Sequence, residues 1–287
     1  MKVIVADALG MCFGVRDALA DLKKVSHPGE ATIHGELVHN ERVLFDLEQR
    51  GFRMVAEEKR AGVPVTPVVV ITAHGISNAE RSRFELAGKQ MVDTTCPLVR
   101  HVHEAAQRLQ EEGFHVLVIG RANHVEVRGI VGDLRDYHII ETKTDVAEYD
   151  HPRLGVICQS TTPEHFADEI LGLIRASNPG KEVVFRNTIC KPTRERQEAL
   201  DKLITQVDAL VVVGGKNSNN TRELAESARK RGKPAVHIQS AADLDPNWLL
   251  GFETIGLTAG TSTLPDTVDE VHRAILRIAA QAQAARR

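Results

Sequence analysis

Three cysteines, Cys12, Cys96 and Cys190, lie far apart in the chain, yet each falls where an extended run gives way to a helical pattern. Cys12 stands in Gly10-Met11-Cys12-Phe13-Gly14, ahead of a helical run over 15–25. Cys96 stands in Asp93-Thr94-Thr95-Cys96-Pro97 and Cys190 in Asn187-Thr188-Ile189-Cys190-Lys191-Pro192. A proline close behind the last two suits a helix start, where its missing N–H costs nothing. A thiol at a helix N-terminus sits at the positive end of the dipole, which favours the thiolate. Three thiolates brought together from separate segments would hold an electron-deficient metal centre. Cysteine is also among the most buried residue types and often only fills space. No C-x-x-C pair occurs, so spacing alone leaves both readings open. Cys158, inside the apolar stretch 154–158, reads as an inert buried thiol, with a fourth-ligand role left open.

The elements that must position these residues repeat in kind. Val- and Ile-rich runs recur, each followed by a polar loop and a helical pattern: Val68-Val69-Val70-Ile71, His115-Val116-Leu117-Val118-Ile119, Ala209-Leu210-Val211-Val212-Val213 and, more weakly, Thr254-Ile255-Gly256-Leu257. Short apolar runs buried on both faces and alternating with helices indicate parallel sheets in an α/β fold. In such sheets ligands gather beyond the carboxyl ends of the strands.

The loops at those ends are chemically coherent. His74 and His124 each follow a strand directly, and His39 follows a shorter extended stretch in Leu37-Val38-His39-Asn40. The loops 216–220 and 259–263 offer Ser, Asn and Thr side chains, with glycines that expose backbone N–H groups. Together they make a receptacle for a phosphate or diphosphate. Any one of 13 histidines can equally be a surface or core residue, and Asn217-Ser218-Asn219-Asn220 alone can be a turn with a helix cap. No G-x-G-x-x-G or Walker pattern appears, which argues against a dinucleotide or ATP. Glu126, two residues past His124, shares a face with it if the stretch is extended, and a buried carboxyl there could serve as a general acid. Gln159-Ser160-Thr161-Thr162 places hydroxyls at a further strand end, where they could relay a proton.

Composition bounds the rest. At 287 residues, about two domains are expected, and 42% hydrophobic content is ample for a packed interior. A net charge of −3 and a pI near 6.5 give no basic footprint for nucleic acid, and 4% aromatic content leaves few surfaces for base stacking. No apolar run is long enough to span a bilayer. Met1-Lys2-Val3-Ile4-Val5-Ala6 reads as a first strand and not a secretory signal, so a cytoplasmic location with reduced thiols is expected. Ala279-Ala280-Gln281-Ala282-Gln283-Ala284-Ala285-Arg286-Arg287 reads as the end of the last helix.

Taken in order, these motifs resemble one family across nearly the whole chain. The matching elements begin with Gly-Met-Cys-Phe-Gly-Val around Cys12, Val38-His39-Asn40, Ala73-His74-Gly75 and Asp93-Thr94-Thr95-Cys96-Pro97-Leu98-Val99. They continue with His124-Val125-Glu126-Val127-Arg128-Gly129, Gln159-Ser160-Thr161, and Ile189-Cys190 with Arg196-Gln197-Glu198-Ala199. Asn217-Ser218-Asn219-Asn220 and Thr258-Ala259-Gly260-Thr261-Ser262 complete the set. Each is weak alone; in this order and at these spacings they are specific. The chain resembles the LytB (IspH) family of 4-hydroxy-3-methylbut-2-enyl diphosphate reductases.

The resemblance implies three similar α/β units in a trefoil around a central [4Fe–4S] cluster, with one cysteine from each unit: 13–96, 97–190, and 1–12 with 191–287. It implies Cys12, Cys96 and Cys190 as cluster ligands, leaving one iron open to substrate. The substrate is an allylic alcohol bearing a diphosphate, reductively dehydroxylated to isopentenyl and dimethylallyl diphosphate in the non-mevalonate pathway. Glu126 would supply protons, assisted by Ser160; the diphosphate would lie among His39, His74, His124, Ser218, Asn219, Asn220 and Ser262. A ferredoxin or flavodoxin type donor would supply electrons. The chain departs from the family pattern in places. Ser160 stands where threonine is usual and Asn219 where serine is common; Lys191-Pro192, Met11 and Phe13 are unusual neighbours of cysteines, and Leu264 is inserted before Pro265-Asp266. No departure removes a cluster ligand or the proton donor. They leave open a paralogue that reduces another substrate, an electron carrier or a redox sensor. A cluster-free phosphate-binding protein is the remaining alternative.

Overall fold

Branching at Cβ favours Val and Ile on a pleated surface packed from both sides, and the runs of these residues form the middle strands of three parallel sheets. The computed structural model describes residues 1–60 and 62–285. In chain order the elements are β1 (Lys2–Val5), α1 (Phe13–Lys23), β2 (Ala31–His34), α2 (Glu41–Gln49), β3 (Arg53–Val55), β4 (Val68–Ile71), α3 (Asn78–Leu86) and β5 (Gln90–Asp93). There follow α4 (Pro97–Glu111), β6 (His115–Ile119), α5 (Val125–Val131), β7 (Tyr137–Ile140), β8 (Arg153–Cys158), α6 (Glu164–Ser177) and β9 (Glu182–Phe185). The remainder comprises α7 (Lys191–Ile204), β10 (Ala209–Val213), α8 (Asn219–Lys230), β11 (Ala235–Ile238), α9 (Pro246–Leu249), β12 (Thr254–Ala259) and α10 (Pro265–Ala285). The last helix thus takes up the Ala-rich segment, whose Arg286 and Arg287 lie outside the described residues.

The three sheets share one topology. Their strand orders are β3-β2-β4-β5, β7-β6-β8-β9 and β11-β10-β12-β1, every pair parallel. Numbered within its own unit, each reads 2-1-3-4. In the third sheet the fourth place is taken by β1, in register with β12 from Lys2↔Thr254 to Val5↔Leu257. The chain is therefore an α/β protein of three similar units. By contact density it divides into two compact parts: Met1–Phe13, His39–Glu41 and everything from Lys191 onward carry the β1-containing sheet, and Gly14–Val38 with Arg42–Cys190 carry the other two.

Strand position decides burial. The middle strands β6 and β10 are buried at every residue, whereas β1, β3, β5 and β9 are only partly covered. No helix among the described residues is long and apolar enough to cross a membrane.

Cys158 ends β8 in an apolar cluster with Leu117, Ile119, Leu154 and Ile189. Burial pushes its thiol well above the ordinary value of 9.0, and Asp168 adds to the rise. A packing role, not ligation, accounts for this placement. Because the folded value is raised, the contribution of this thiol to stability is intact below the unfolded value and lost as pH climbs through and beyond it. Urea unfolding at about pH 8 and about pH 10 should show the wild type losing more stability over that interval than Cys158→Ala. Equal losses would clear the thiol as the cause.

Candidate active site

The shared topology explains where the chemistry-bearing residues fall. In each sheet the first and third strands are neighbours, and the crossovers leave them in opposite directions, which opens a crevice at their carboxyl ends. His39, His124 and Ser218 follow the first strands β2, β6 and β10; His74, Ser160 and Ser262 follow the third strands β4, β8 and β12. Cys96, Cys190 and Cys12 follow the fourth strands β5, β9 and β1, each directly before a helix. All four cysteines are thiols. Cys12, Cys96 and Cys190 are partly exposed and Cys158 is buried, so the three at helix starts are the ones a ligand can reach.

In the part that holds Cys12, one network fixes three loops. Cys12 N–H donates to the Thr261 carbonyl at 2.9 Å, and Thr261 N–H donates to Asn220 Oδ1 at 3.1 Å. Asn40 Nδ2 donates to the Ser262 carbonyl at 2.7 Å, and Ser262 Oγ donates to the His39 carbonyl at 3.0 Å. Gly215 packs on that same carbonyl so closely that no side chain would fit there. Gly10, at φ +72°, turns the chain ahead of Cys12 in a conformation that side chains resist. The buried Arg196 holds this turn: its Nε and Nη2 donate to the Gly10 carbonyl at 3.1 and 2.6 Å, and Nη1 donates to the Pro192 carbonyl at 2.8 Å.

The start of α8 holds donors that the fold itself does not use. Ser218 caps the helix, its Oγ accepting from Thr221 N–H at 3.3 Å and from Thr221 Oγ1 at 2.9 Å. Both acceptor positions of the hydroxyl are then used, so its proton is left to donate elsewhere. Asn220 spends Oδ1 on Thr261, while its buried Nδ2 has no hydrogen-bond partner. An unsatisfied buried donor at a helix N-terminus fits an anionic ligand. Asn219 accepts at Oδ1 from Arg222 Nη2 at 3.5 Å. Ser262, by contrast, spends its proton on His39 and can offer a ligand only lone pairs until that bond is broken.

In the other part, Cys96 caps α4 with Pro97 at the first helical position, and its N–H donates to the Ala73 carbonyl at 3.1 Å, which ties it to the His74 loop. Asp93 braces this turn: Oδ1 accepts from Thr95 N–H at 3.0 Å and Thr95 Oγ1 at 2.6 Å, and Oδ2 pairs with Arg81 at 2.7 Å and Arg100 at 2.9 Å. Burial pushes the Asp93 carboxyl up, but Thr95 and Arg81 outweigh it and hold the group below its ordinary value. A Cβ on Gly14 would lie 2.5 Å from Cys96 Sγ, so the backbone itself walls that thiol.

His124 and Glu126 are linked differently from the extended arrangement expected. His124 is the N-cap of α5 and Glu126 lies in the first helical turn. Helical geometry removes the shared strand face and replaces it with a cap bond, Glu126 N–H to His124 Nδ1 at 3.1 Å. With Nδ1 accepting, the neutral ring carries its proton on Nε2. The His74 and His124 rings meet edge to face, with centroids 5.7 Å apart. Glu126 is 2% exposed, and Ser160 satisfies both its oxygens: Ser160 N–H donates to Oε1 at 2.6 Å and Oγ to Oε2 at 2.8 Å. The Ser160 carbonyl in turn accepts from Cys190 N–H at 2.9 Å. A buried carboxyl, a hydroxyl and a cysteine backbone thus share one rigid chain of bonds.

The family profile described as LytB protein matches residues 3–276. The chain belongs to the LytB family. A relative from Aquifex aeolicus named 4-hydroxy-3-methylbut-2-enyl diphosphate reductase is 36% identical over 278 residues, covering 94% of each chain. Among solved structures, the E-1-hydroxy-2-methyl-but-2-enyl-4-diphosphate reductase from Plasmodium falciparum aligns with a TM-score of 0.88 at 30% identity, over 95% of this chain and 87% of that one. A second, described as (E)-4-hydroxy-3-methyl-but-2-enyl diphosphate reductase, the terminal enzyme of the non-mevalonate pathway, aligns with a TM-score of 0.65 at 34% identity, over 96% and 100%.

Sequence reasoning gave no role to the positioning groups Asn40, Asp93, Arg196 and Thr221, although each stands near a candidate residue. Their signal is a polar side chain one to six residues from a candidate residue, which is too common to select them. Arg196→Lys keeps the charge but loses the fork that grips two carbonyls. It should destabilise the protein by about 1.5–3 kcal/mol, read from the denaturant midpoint. An unchanged midpoint would remove Arg196 from the support of the Cys12 turn.

Proposed function

We propose that this chain catalyses the reductive dehydroxylation of (E)-4-hydroxy-3-methylbut-2-enyl diphosphate to isopentenyl and dimethylallyl diphosphate. The observation that carries the reading is the recurrence of a cysteine at a helix start after the fourth strand of every sheet. Three partly exposed thiols, each at a helix start, suit an iron–sulfur cluster. Cys12, Cys96 and Cys190 would hold a [4Fe–4S] cluster, one from each of 13–96, 97–190, and 1–12 with 191–287. Bound there, the cluster would supply electrons singly and, at the iron without a protein thiolate, a coordination position for the substrate. A reducing cytoplasm would keep these thiols available, and a ferredoxin or flavodoxin type protein would deliver the electrons.

Overall, two electrons and two protons replace the C–O bond with a C–H bond and release water. The chain's own residues manage the protons and the diphosphate. While Glu126 is ionised, Ser160 Oγ donates to Oε2; once it is protonated, Oε2–H donates to Oγ and the hydroxyl turns its proton outward. The same 2.8 Å contact serves both states, so a proton on Glu126 reaches the departing oxygen by the turn of one hydroxyl. Asn220 Nδ2, the Ser218 hydroxyl and the first N–H groups of α8 would donate to the diphosphate. His124, with its proton on Nε2, would add a donor, as would His39, His74, Asn219 and Ser262 after local adjustment.

Purified without oxygen, the protein should be brown, contain close to four irons and four sulfides per chain, and turn over the allylic diphosphate with a reduced one-electron donor. A colourless protein that binds no iron and leaves this substrate unchanged would overturn the proposal. Glu126→Gln should keep the cluster and lose about a hundredfold or more in turnover, since it cannot deliver the proton. Ser160→Ala should slow turnover while Ser160→Thr preserves it. Equal rates in the two Ser160 variants would take this hydroxyl out of the proton path.

A further inference from the structure

At the opposite, amino-terminal end of the second unit's sheet lies a cluster that this chemistry does not use. His115 opens β6 and the register places His138 of β7 beside Leu117, so Asp136, just before β7, comes level with His115. His151 lies in the segment leading into β8. His115 Nδ1 is 3.1 Å and His151 Nε2 is 3.2 Å from Asp136 Oδ2, and the three ligand-type atoms all lie within 4.8 Å of one another. β6 separates this group from the His124 loop by its five residues, roughly 16 Å of strand.

Two features mark it as more than a chance gathering. His115 is 4% exposed, and its buried Nδ1 faces Asp136 Oδ2 at 3.1 Å without good hydrogen-bond geometry. On the other side of the ring, Nε2 is 2.7 Å from His138 Nδ1. If Nε2 holds the proton and donates to His138, Nδ1 presents a bare lone pair to the carboxylate, an arrangement that a cation between them would stabilise. A metal-bound histidine commonly donates its other N–H in this way.

The spacing suits a particular ion. Zinc bonds to histidine nitrogen and carboxylate oxygen of about 2.0–2.2 Å in a tetrahedron set the ligand atoms about 3.4 Å apart. The two distances to Asp136, 3.1 and 3.2 Å, are close to this, and the two nitrogens lie within 4.8 Å of each other. The His115 and His151 rings lie stacked, 4.0 Å apart and 4° from parallel, so one ion cannot lie in both ring planes. His151, with its side chain 39% exposed, and Asp136, at 61%, have the freedom to turn.

We propose that His115, Asp136 and His151 form a site for a borderline divalent metal, zinc above all, with His138 orienting His115 from behind and water completing the tetrahedron. The ion would tie together the start of β6, the approach to β7 and the approach to β8. This site is independent of the reductase reading.

The test equilibrates full-length protein with micromolar zinc chloride and counts metal per chain in wild type, His151→Ala and Asp136→Asn. Zinc held by the cysteines is common to all three and subtracts. The wild type should hold one zinc more than either variant at low zinc, with affinity at least tenfold higher at that site, and zinc should raise its Tm but not theirs. Because His151 is half-exposed, its truncation leaves the core intact. Equal zinc counts and an equal zinc-induced rise in Tm in His151→Ala would overturn the site.

Discussion

Parallel pairing is the constraint on which the rest depends. Strands that all run the same way put every carboxyl end on one edge of the sheet, and each return crossover delivers a helix N-terminus to that edge. Such an edge carries unsatisfied N–H groups, where polar side chains and anions are stabilised and apolar packing is not required. The 2-1-3-4 order repeated in all three sheets sorts the residues by strand. Cysteines fall after the fourth strands; histidine or serine falls after the first and third. Chemistry is thereby assigned by position in the sheet before any side chain is considered.

Keeping polar groups buried at these edges costs free energy unless each is bonded. The solution is repeated local bracing by backbone. Glu126 leans on Ser160, Asp93 on Thr95, and Arg196 on two carbonyls. Asn220 differs from these three, with its amide oxygen bonded and its amide nitrogen open. That asymmetry separates a group arranged for a ligand from one arranged for the fold.

The fold was legible where burial is two-sided. The Val- and Ile-rich runs at 68–71, 115–119 and 209–213 are middle strands, and 254–257 continues to Ala259. Outer strands such as Gln90–Asp93 and Glu182–Phe185 carry shorter apolar runs opened by a polar residue, and they are exposed or only partly buried along their length. The three cysteines were legible as helix-start residues for the same reason that proline follows two of them. What eluded sequence reasoning is pairing across long separations. The bond from Ser160 to Glu126 spans 34 residues and that from Ser262 to His39 spans 223, and no local pattern reports either. The stretch 124–127 misled because Val125 and Val127 look strand-like, while His124 as a cap lets the helix begin one residue later.

The place of β1 in the third sheet has a consequence for how the molecule is made. Lys2 pairs with Thr254, so β1 waits for a strand made about 250 residues after it. At about 5–20 residues per second that wait is roughly 12–50 s. Through this interval the strand edge that will receive β1 does not yet exist, and the turn carrying Cys12 has no Thr261 to hold it. Vectorial synthesis can complete the sheets of 31–93 and 115–185 in passing, but the unit containing Cys12 closes only once 254–261 has been made. Assembly of this thiol into its final setting therefore follows both of those sheets.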